Sequence, residues 1–180
     1  MSQTIHVIAD AEVDEALDAD LRGLLSACFT GPDDHVFKVR RYFNEPPRWR
    51  WFMRKEGGGL AAHVAAHDKC LGHAGGELRI AGIAEVAVHP DCRGRGLAKL
   101  LLERLHRDCA TFGVPWAALF GKAEVYRSSG YTAPGNILRY RNPKTGAWSE
   151  RIEPNFQVCR LRDDAPPWPT GGLDLRGSYF

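Results

Sequence analysis

The sequence lacks a long apolar run, a surplus of one charge and a secretion signal. Its 24 Lys and Arg residues against 22 Asp and Glu residues leave a net charge of +2, without the clustered basic face of a nucleic-acid-binding protein. No apolar stretch approaches the ~20 residues that span a bilayer. The first ten residues have no basic region followed by an apolar core. We therefore predict no signal peptide, no membrane or nucleic-acid partner, and a soluble, cytoplasmic protein.

Paired cysteines are also missing. The chain has five cysteines, an odd number, and they are widely spaced with no Cys-x-x-Cys pair. This spacing excludes a disulfide framework and a zinc knuckle. We expect free thiols, buried or half-buried, in a reducing compartment: Cys28, Cys70, Cys92, Cys109 and Cys159.

The composition is that of one globular domain. With 180 residues, 44% of them hydrophobic, the chain buries roughly 70% of its unfolded surface. Apolar periodicity predicts a mixed α/β fold in a single domain, 1–180, with a Pro/Gly-rich tail over 163–180. Asp10 is placed to cap the first helix. The predicted strands are 3–9, 48–55, 60–66, 80–88, 116–120, 138–141 and 156–161, and the predicted helices are 13–28, 34–43, 97–112 and 123–129.

The most informative stretch joins the strand ending at Val88 to the longest helical pattern. It reads Arg93-Gly94-Arg95-Gly96-Leu97-Ala98. Glycines let a backbone approach a ligand closely, and the first amides of a helix are unpaired and carry partial positive charge. Together with the two arginines they predict a site for a phosphate or pyrophosphate. The Walker loop and the dinucleotide fingerprint both fit badly, since Lys99 is followed by Leu100 and the third small residue comes one place early.

Two segments resemble the GNAT superfamily of acyl-CoA-dependent N-acyltransferases. Residues 93–98, after a strand ending Val88-His89-Pro90, resemble its Arg/Gln-x-x-Gly-x-Gly/Ala loop. Residues 123–131, AEVYRSSGY, resemble its second motif, Ala-x-x-Leu/Val-Tyr-x-x-x-Gly-aromatic. The resemblance is specific from about Leu60 to Tyr131. It implies an α+β GNAT fold, with a central mixed, mostly antiparallel sheet that is splayed in the middle and flanked by helices.

The resemblance also implies a cofactor, acetyl-CoA, and its binding residues. Pantetheine is expected in the cleft between strands 86–88 and 116–120, paired like an added strand with the backbone of Val86, Ala87 and Val88. The pyrophosphate is expected on the amides of the loop, contributed by Arg93, Gly94, Arg95, Gly96, Leu97 and Ala98. Many family members carry an Asn after strand 116–120 that contacts the cofactor, and this chain has Gly121-Lys122 there.

For catalysis, the resemblance implies direct attack of an amine on the thioester carbonyl, with a backbone N–H at the oxyanion. Tyr126 matches the family's general acid. Glu85 is a candidate general base, acting through a water. Relatives that use an acid here commonly carry it one residue earlier, at the position of Ala84, and a strand bulge would restore the side chain's face. Deprotonation of the amine by bulk water stays open.

Within the superfamily the chain looks most similar to aminoglycoside 2-prime-N-acetyltransferases and their relatives, on the AHVAAH strand, its spacing to AEVAV, and a closing Asp-x-Arg at Asp174 and Arg176. In those enzymes the terminal carboxylate helps to bind the acceptor, which implies a role for Phe180 and a tail, 163–180, that packs on or near the acceptor site. They have an acid where this chain has Ser178. The prediction is therefore acetyl transfer to a primary amine of a small molecule.

Alternatives remain at this stage. A longer acyl chain, or a non-catalytic acyl-CoA sensor, would use the same loop. His63 and His67 share a strand face, and we expect partly exposed strand residues and no metal site, because no acid or thiol stands at suitable spacing. The sequence leaves the oligomeric state open, a homodimer included.

Overall fold

The structure is a computed structural model, and it describes residues 4–180. Its α-helices are α1 (Glu15–Cys28), α2 (Leu97–Thr111) and α3 (Ala123–Tyr126). Its strands are β1 (His6–Ala9), β2 (Trp49–Arg54), β3 (Leu60–His73), β4 (Gly76–Val88), β5 (Trp116–Phe120), β6 (Ile137–Arg141), β7 (Trp148–Ile152), β8 (Phe156–Arg160) and β9 (Leu173–Asp174).

The chain forms two compact units. Unit 1 comprises the chain up to His67 together with Ala84–Leu105, and unit 2 comprises Asp68–Ile83 with His106–Phe180. Three elements, β3, β4 and α2, contribute residues to both units.

Unit 1 is a layer of antiparallel strands with α1 packed against it. β1 pairs with β2, and β2 pairs with β3 from Trp49↔Ala66 onward. The apolar residues of α1 recur at helical spacing, so they fall on one face and are buried. That face forms a core with residues of the strands and of a 3-10 turn, which includes Leu17, Leu21, Leu24, Leu25, Phe37, Phe52, Leu60 and Ala87.

Unit 2 contains β5 to β9 and parts of β3 and β4, which follow the order β7-β6-β9-β3-β4-β5-β8 within a nine-stranded sheet. β4 and β5 run parallel, paired from Ile80↔Trp116 to Ile83↔Leu119. β5–β8 and β6–β7 are antiparallel, so the sheet is mixed and mostly antiparallel, as expected. The core lies on the face that carries Leu71, Leu78, Ile80, Ala118, Leu138, Tyr140, Phe156, Val158, Leu173 and Leu175.

Several local predictions were wrong. Asp14, not Asp10, caps α1, and its carboxylate accepts from the Leu17 amide at 2.8 Å. The helix expected over 34–43 is only a short 3-10 turn, Asp34–Lys38. The first strand runs from His6 to Ala9, and its predicted start at Gln3 lies outside the described residues.

The tail is more ordered than its composition suggested. Two of its residues form β9, which pairs with β3 at Gly72↔Asp174 and runs parallel to β6. Leu173 and Leu175 are buried in the core of unit 2. Residues 163–180 are therefore an integral part of unit 2.

The cysteines match the expectation at four of five positions. All five thiols are free; Cys92, Cys109 and Cys159 are buried, Cys28 is half-buried and Cys70 is exposed. Across residues 4–180 we find no helix with the length and apolar character that crossing a membrane requires.

Candidate active site

The glycine-rich loop of unit 1 leads directly from β4 into α2. A 3-10 turn, Pro90–Cys92, follows the strand. Gly94 and Gly96 then take left-handed backbone conformations, with φ of 74° and 71°. A side chain at either position would meet no other atom within 4 Å, so glycine is required here for its backbone freedom and not for lack of space. The result is a run of exposed backbone that ends at the first turn of α2.

Positive charge on residues 93–98 comes from two exposed arginines. Arg93 Nε donates to the Val88 carbonyl at 3.3 Å, and Arg95 Nη2 donates to the Asp91 carbonyl at 3.2 Å. Leu97 is buried and anchors the helix start. The amides of the first helical turn and both guanidinium groups are therefore concentrated on one short segment, which is the arrangement that favours an anionic ligand.

Glu85, three residues before the end of β4, has a left-handed backbone, with φ of 53°. This is an uncommon conformation for a residue with a side chain, and it marks a local break in the regular strand. The Glu85 side chain is buried, with 4% exposed. Its Oε1 accepts from the Phe43 amide and its Oε2 accepts from Arg50 Nη1, both at 3.0 Å.

Arg50, on β2, is completely buried and is the hub of a charged cluster. Its Nε donates to Asp10 Oδ1 at 2.5 Å, and Nη2 donates to the Arg41 carbonyl at 2.9 Å. Nη1 lies 3.0 Å from Glu85 Oε2 and 3.1 Å from His63 Nε2. Arg41 pairs with Asp10 as well, at 2.7 Å. The buried charges are thus all paired, which burial requires.

Burial and charge move the pKa values of this cluster in different directions. Burial raises the pKa of Glu85, against the opposing charge of Arg50. Burial also acts to raise the pKa of Asp10, but its bonds to Arg41 and Arg50 outweigh it and hold that pKa below the ordinary value. Burial, assisted by the charge of Arg50, holds the pKa of His63 well below its usual range, so His63 is neutral.

In unit 2, Tyr126 ends the short helix α3 and lies on a glycine. A Cβ at Gly121 would overlap Cε2 of the Tyr126 ring and come within 2.9 Å of its Cδ2. The ring meets Tyr131 edge-on, with centroids 6.0 Å apart. Tyr131 is buried, and its hydroxyl lies 2.8 Å from His106 Nε2. Burial lowers the pKa of His106 to about 4, which leaves this histidine neutral.

A comparison with models of protein families confirms the superfamily that the two sequence motifs suggested. Residues 4–133 match the model described as "Acetyltransferase (GNAT) domain". The chain belongs to the GNAT acetyltransferase family. It is an acyl-CoA-dependent acetyltransferase, and the predicted superfamily, fold class and enzyme class are confirmed. A comparison with curated proteins gave no match.

Solved structures show how widely this GNAT fold is shared. The chain is 23% identical to a GNAT family N-acetyltransferase (YhbS) from Escherichia coli in complex with CoA, with a TM-score of 0.70 over 97% of this chain and 91% of that one. It is 18% identical to a GNAT family acetyltransferase from Brucella melitensis in complex with acetyl-CoA, with a TM-score of 0.63 and 96% of both chains covered. Escherichia coli ElaA is 13% identical, with a TM-score of 0.60 over 88% of this chain and 99% of that one. At these identities the similarity shows the fold.

The acceptor residues predicted for this GNAT enzyme lie in unit 2. Asp174 pairs with Arg139 at 2.6 Å and accepts from the Arg176 amide at 2.7 Å. The ring of Phe180 lies directly on Gly82, where an added Cβ would come within 2.8 Å of the ring. The centroids of the Phe180 and Phe120 rings are 5.5 Å apart. The tail therefore ends on the part of β4 that belongs to unit 2.

The histidine prediction was wrong as to exposure. His63 and His67 are both buried. His63 lies in the Arg50 cluster, and His67 Nδ1 lies 3.9 Å from Glu45 Oε1. Within residues 4–180, no group of three or more His, Cys, Asp or Glu side chains is arranged to hold a metal ion.

Sequence reasoning missed Arg50, Asp10 and Gly121 as residues of the candidate site. The one available signal for Arg50 was a charged residue inside the apolar strand WRWFMR, since a buried charge needs a partner. Nothing in the sequence identified that partner.

We expect Gly121→Ala to destabilise this GNAT enzyme by about 1–3 kcal/mol, because the new methyl group must displace the Tyr126 ring. Thermal unfolding measures the effect. Gly23→Ala is the matched control, because Gly23 lies in α1 with open space around it, and the same substitution there is expected to stabilise by about 0.5–1 kcal/mol. An unchanged melting temperature in Gly121→Ala would contradict the packing of Tyr126 on this glycine.

Proposed function

We propose that the protein transfers the acetyl group of acetyl-CoA to a primary amine of a small molecule, by direct attack in a ternary complex. The observation that supports this most is the loop from Arg93 to Ala98. Its two left-handed glycines and two arginines stand between a strand and a helix start, inside a GNAT domain. The amine forms the new amide bond as the thioester C–S bond breaks, and CoA leaves as the thiol.

The proposed cofactor contacts all lie in unit 1. The pyrophosphate binds the amides of residues 93–98 and the guanidinium groups of Arg93 and Arg95. Pantetheine pairs with the backbone of Val86, Ala87 and Val88. Two similar structures support this choice of cofactor, since one was solved with CoA and the other with acetyl-CoA.

Tyr126 is the proposed general acid, which protonates the leaving thiolate. Burial raises the pKa of its hydroxyl above the ordinary value of 10. The hydroxyl is therefore protonated at neutral pH, as a proton donor must be. Its ring is held between Gly121 and Tyr131, which fixes the position of the donor.

Glu85 stays a prediction as the base. Its raised pKa suits a proton acceptor, but both carboxylate oxygens already accept hydrogen bonds, from Phe43 and Arg50. The amine reaches the thioester in its neutral form either through Glu85 or through bulk water. Glu85→Gln separates the two when kcat is followed against pH: a base role predicts a loss of about 10²–10⁴-fold and a changed pH profile, whereas the water route predicts a pH profile of unchanged shape.

Asp174 and the terminal carboxylate of Phe180 are the proposed acceptor ligands. Bonds from the Arg176 amide and Arg139 hold the pKa of Asp174 below its ordinary value against the effect of burial, so it is ionised at neutral pH. Negative groups favour a cationic acceptor. An aminoglycoside-like amine is the specific acceptor that the tail sequence suggests.

The test is acetyl transfer to a panel of amines. Turnover is measured by the thiol that acetyl-CoA releases. The panel contains aminoglycosides, polyamines and amino acids. Turnover that depends on a primary amine supports the proposal, and the identity of the fastest amine defines the acceptor class. Faster turnover with longer acyl-CoAs would support a longer-chain acyltransferase. Tight acetyl-CoA binding without turnover on any amine would support a non-catalytic sensor.

A further inference from the structure

Glu85 keeps a strained backbone inside an otherwise regular strand. Its φ of 53° lies in the left-handed region, where a side chain clashes with its own backbone. Such a residue persists only when its surroundings hold it there, and such outliers are concentrated at functional sites. Glu85 directly precedes Val86, the first proposed pantetheine-binding residue.

Contacts from three residues hold Glu85. Two of these residues, His63 and Arg50, form a closed hydrogen-bonded ring with it. The Glu85 carbonyl oxygen lies 3.0 Å from His63 Nδ1, and the Glu85 carboxylate lies 3.0 Å from Arg50 Nη1. His63 Nε2 and Arg50 Nη1 are themselves 3.1 Å apart. The third contact is the Phe43 amide on the carboxylate. Backbone and side chain of Glu85 are therefore fixed by the same pair of residues.

The ring has a defined direction of hydrogen bonding. A guanidinium group has donors and no acceptor, so His63 Nε2 must accept from Arg50. The neutral imidazole then carries its proton on Nδ1 and donates it to the Glu85 carbonyl. Asp10, bonded to Arg50 Nε at 2.5 Å, fixes the guanidinium from its other side.

We propose that His63 and Arg50 are positioning residues that fix the Val86 N–H for the transfer reaction. The peptide bond that follows Glu85 is trans, so its N–H points opposite to its C=O. Since the Glu85 C=O points at His63, the Val86 N–H points away from His63. A backbone N–H held in a fixed direction is what stabilisation of the thioester oxyanion requires.

This inference rests on the proposed function, and it changes the role of Glu85. The carboxylate serves to anchor the left-handed residue through Arg50 and Phe43. His63 supplies a hydrogen bond to the carbonyl of the reactive peptide and so helps to set its orientation. Neither His63 nor Arg50 needs to contact acetyl-CoA.

The test uses two substitutions of His63, to Asn and to Gln, each of which keeps one of the two hydrogen bonds of the imidazole. In His63→Asn, the side-chain amide nitrogen stands near the place of Nδ1 and donates to the Glu85 carbonyl. In His63→Gln, the amide oxygen stands near the place of Nε2 and accepts from Arg50, but the donor to the carbonyl is lost. Kinetics are measured with acetyl-CoA and the fastest amine of the panel. His67→Gln, at the other buried histidine of this strand face, is the matched control.

We expect His63→Gln to lower kcat by about 10–100-fold, because a small misplacement of the reactive peptide is costly. His63→Asn is expected to stay within about threefold of the parent, and both variants should keep the KM for acetyl-CoA within about twofold, since the lost interaction acts in the transition state. Equal kcat values for the parent and His63→Gln, or equal losses in both His63 variants, would overturn the proposal.

A second measurement needs no variant. Nitrogen-15 NMR of the histidine side chains in the parent protein is expected to show His63 neutral and protonated on Nδ1 from pH 6 to pH 9. Protonation on Nε2, or titration of His63 in this range, would overturn the proposal. If the parent itself neither binds nor turns over acetyl-CoA, the proposed function fails instead, and the NMR result still reports on the hydrogen-bonded ring.

Discussion

Arg50→Met is expected to destabilise the protein by about 3–5 kcal/mol, the usual cost of leaving buried charges without their partner. Arg50 is completely buried and bonds to both Asp10 and Glu85. Methionine fills much of the same volume but donates no hydrogen bond. Asp10 keeps Arg41 as a partner, so the main loss falls on the Glu85 carboxylate. Urea unfolding measures the difference in free energy of unfolding.

The control for this prediction is Arg54→Met on the same strand. Arg54 pairs with Asp20 at 2.8 Å, but both side chains are substantially exposed, at 45% and 31%. Exposed pairs contribute about 0–1 kcal/mol, so this variant is expected to stay near the parent. Equal losses in the two variants would show that Arg50 acts by its packing and not by its buried charge.

The loss of unfolding free energy in Arg50→Met is also expected to depend on pH. Without the guanidinium, burial raises the pKa of Glu85 further above its unfolded value, and the pKa of Asp10 rises too. A carboxyl group whose folded pKa is raised binds more protons in the folded state, so folded stability falls as pH rises through that window. The free energies of unfolding of the variant and the parent should therefore differ less at pH 5 than at pH 8. A deficit that grows on acidification would contradict the assignment.

Tyr126→Phe is expected to lower kcat by about 10²–10⁴-fold, the usual contribution of a general acid. The KM for acetyl-CoA should change little, since the hydroxyl acts on the leaving thiolate in the transition state. Because burial raises the pKa of Tyr126 above 10, the parent should show no loss of kcat from this group below pH 10. Steady-state kinetics with the fastest amine of the panel provide the measurement.

Tyr140→Phe is the matched control for the loss of a tyrosine hydroxyl. Tyr140 lies on β6, and its hydroxyl donates to Glu153, so the variant should keep the parent's kcat within about twofold. Unchanged turnover in Tyr126→Phe would contradict the general-acid assignment and leave Tyr126 as a packing residue.

The fold was largely predictable because its main elements carry strong local patterns. The expected helix 97–112 differs from α2 by one residue, and the expected strand 116–120 is β5. β7 was missed since four of its five residues are exposed, so it lacks the alternation that reveals a half-buried strand. β9 was missed because its two residues pair inside a Pro/Gly-rich tail, where long-range contacts and not local propensity form the strand.

The candidate site divides in the same way. The loop at Arg93–Ala98 and the segment around Tyr126 are continuous in sequence, so their motifs can be found without a structure. Arg50 bonds to side chains that are 13 to 40 positions away in the chain, and no local pattern indicates that they meet. Glu85 shows the difference most clearly: its position suggested a base, whereas its left-handed backbone and its bonding partners became visible only in three dimensions.

The most direct test of the central claim is the melting temperature in the presence of acetyl-CoA, CoA, ATP and NAD, measured in parallel. A ligand at about 100 times its Kd stabilises the folded state by about 2.7 kcal/mol, which for a chain of this length raises the melting temperature by about 5–10 °C. We predict that shift with acetyl-CoA and CoA, and a much smaller one with ATP or NAD. The absence of a shift with acetyl-CoA and CoA at millimolar concentration would contradict an acyl-CoA site on the loop between β4 and α2.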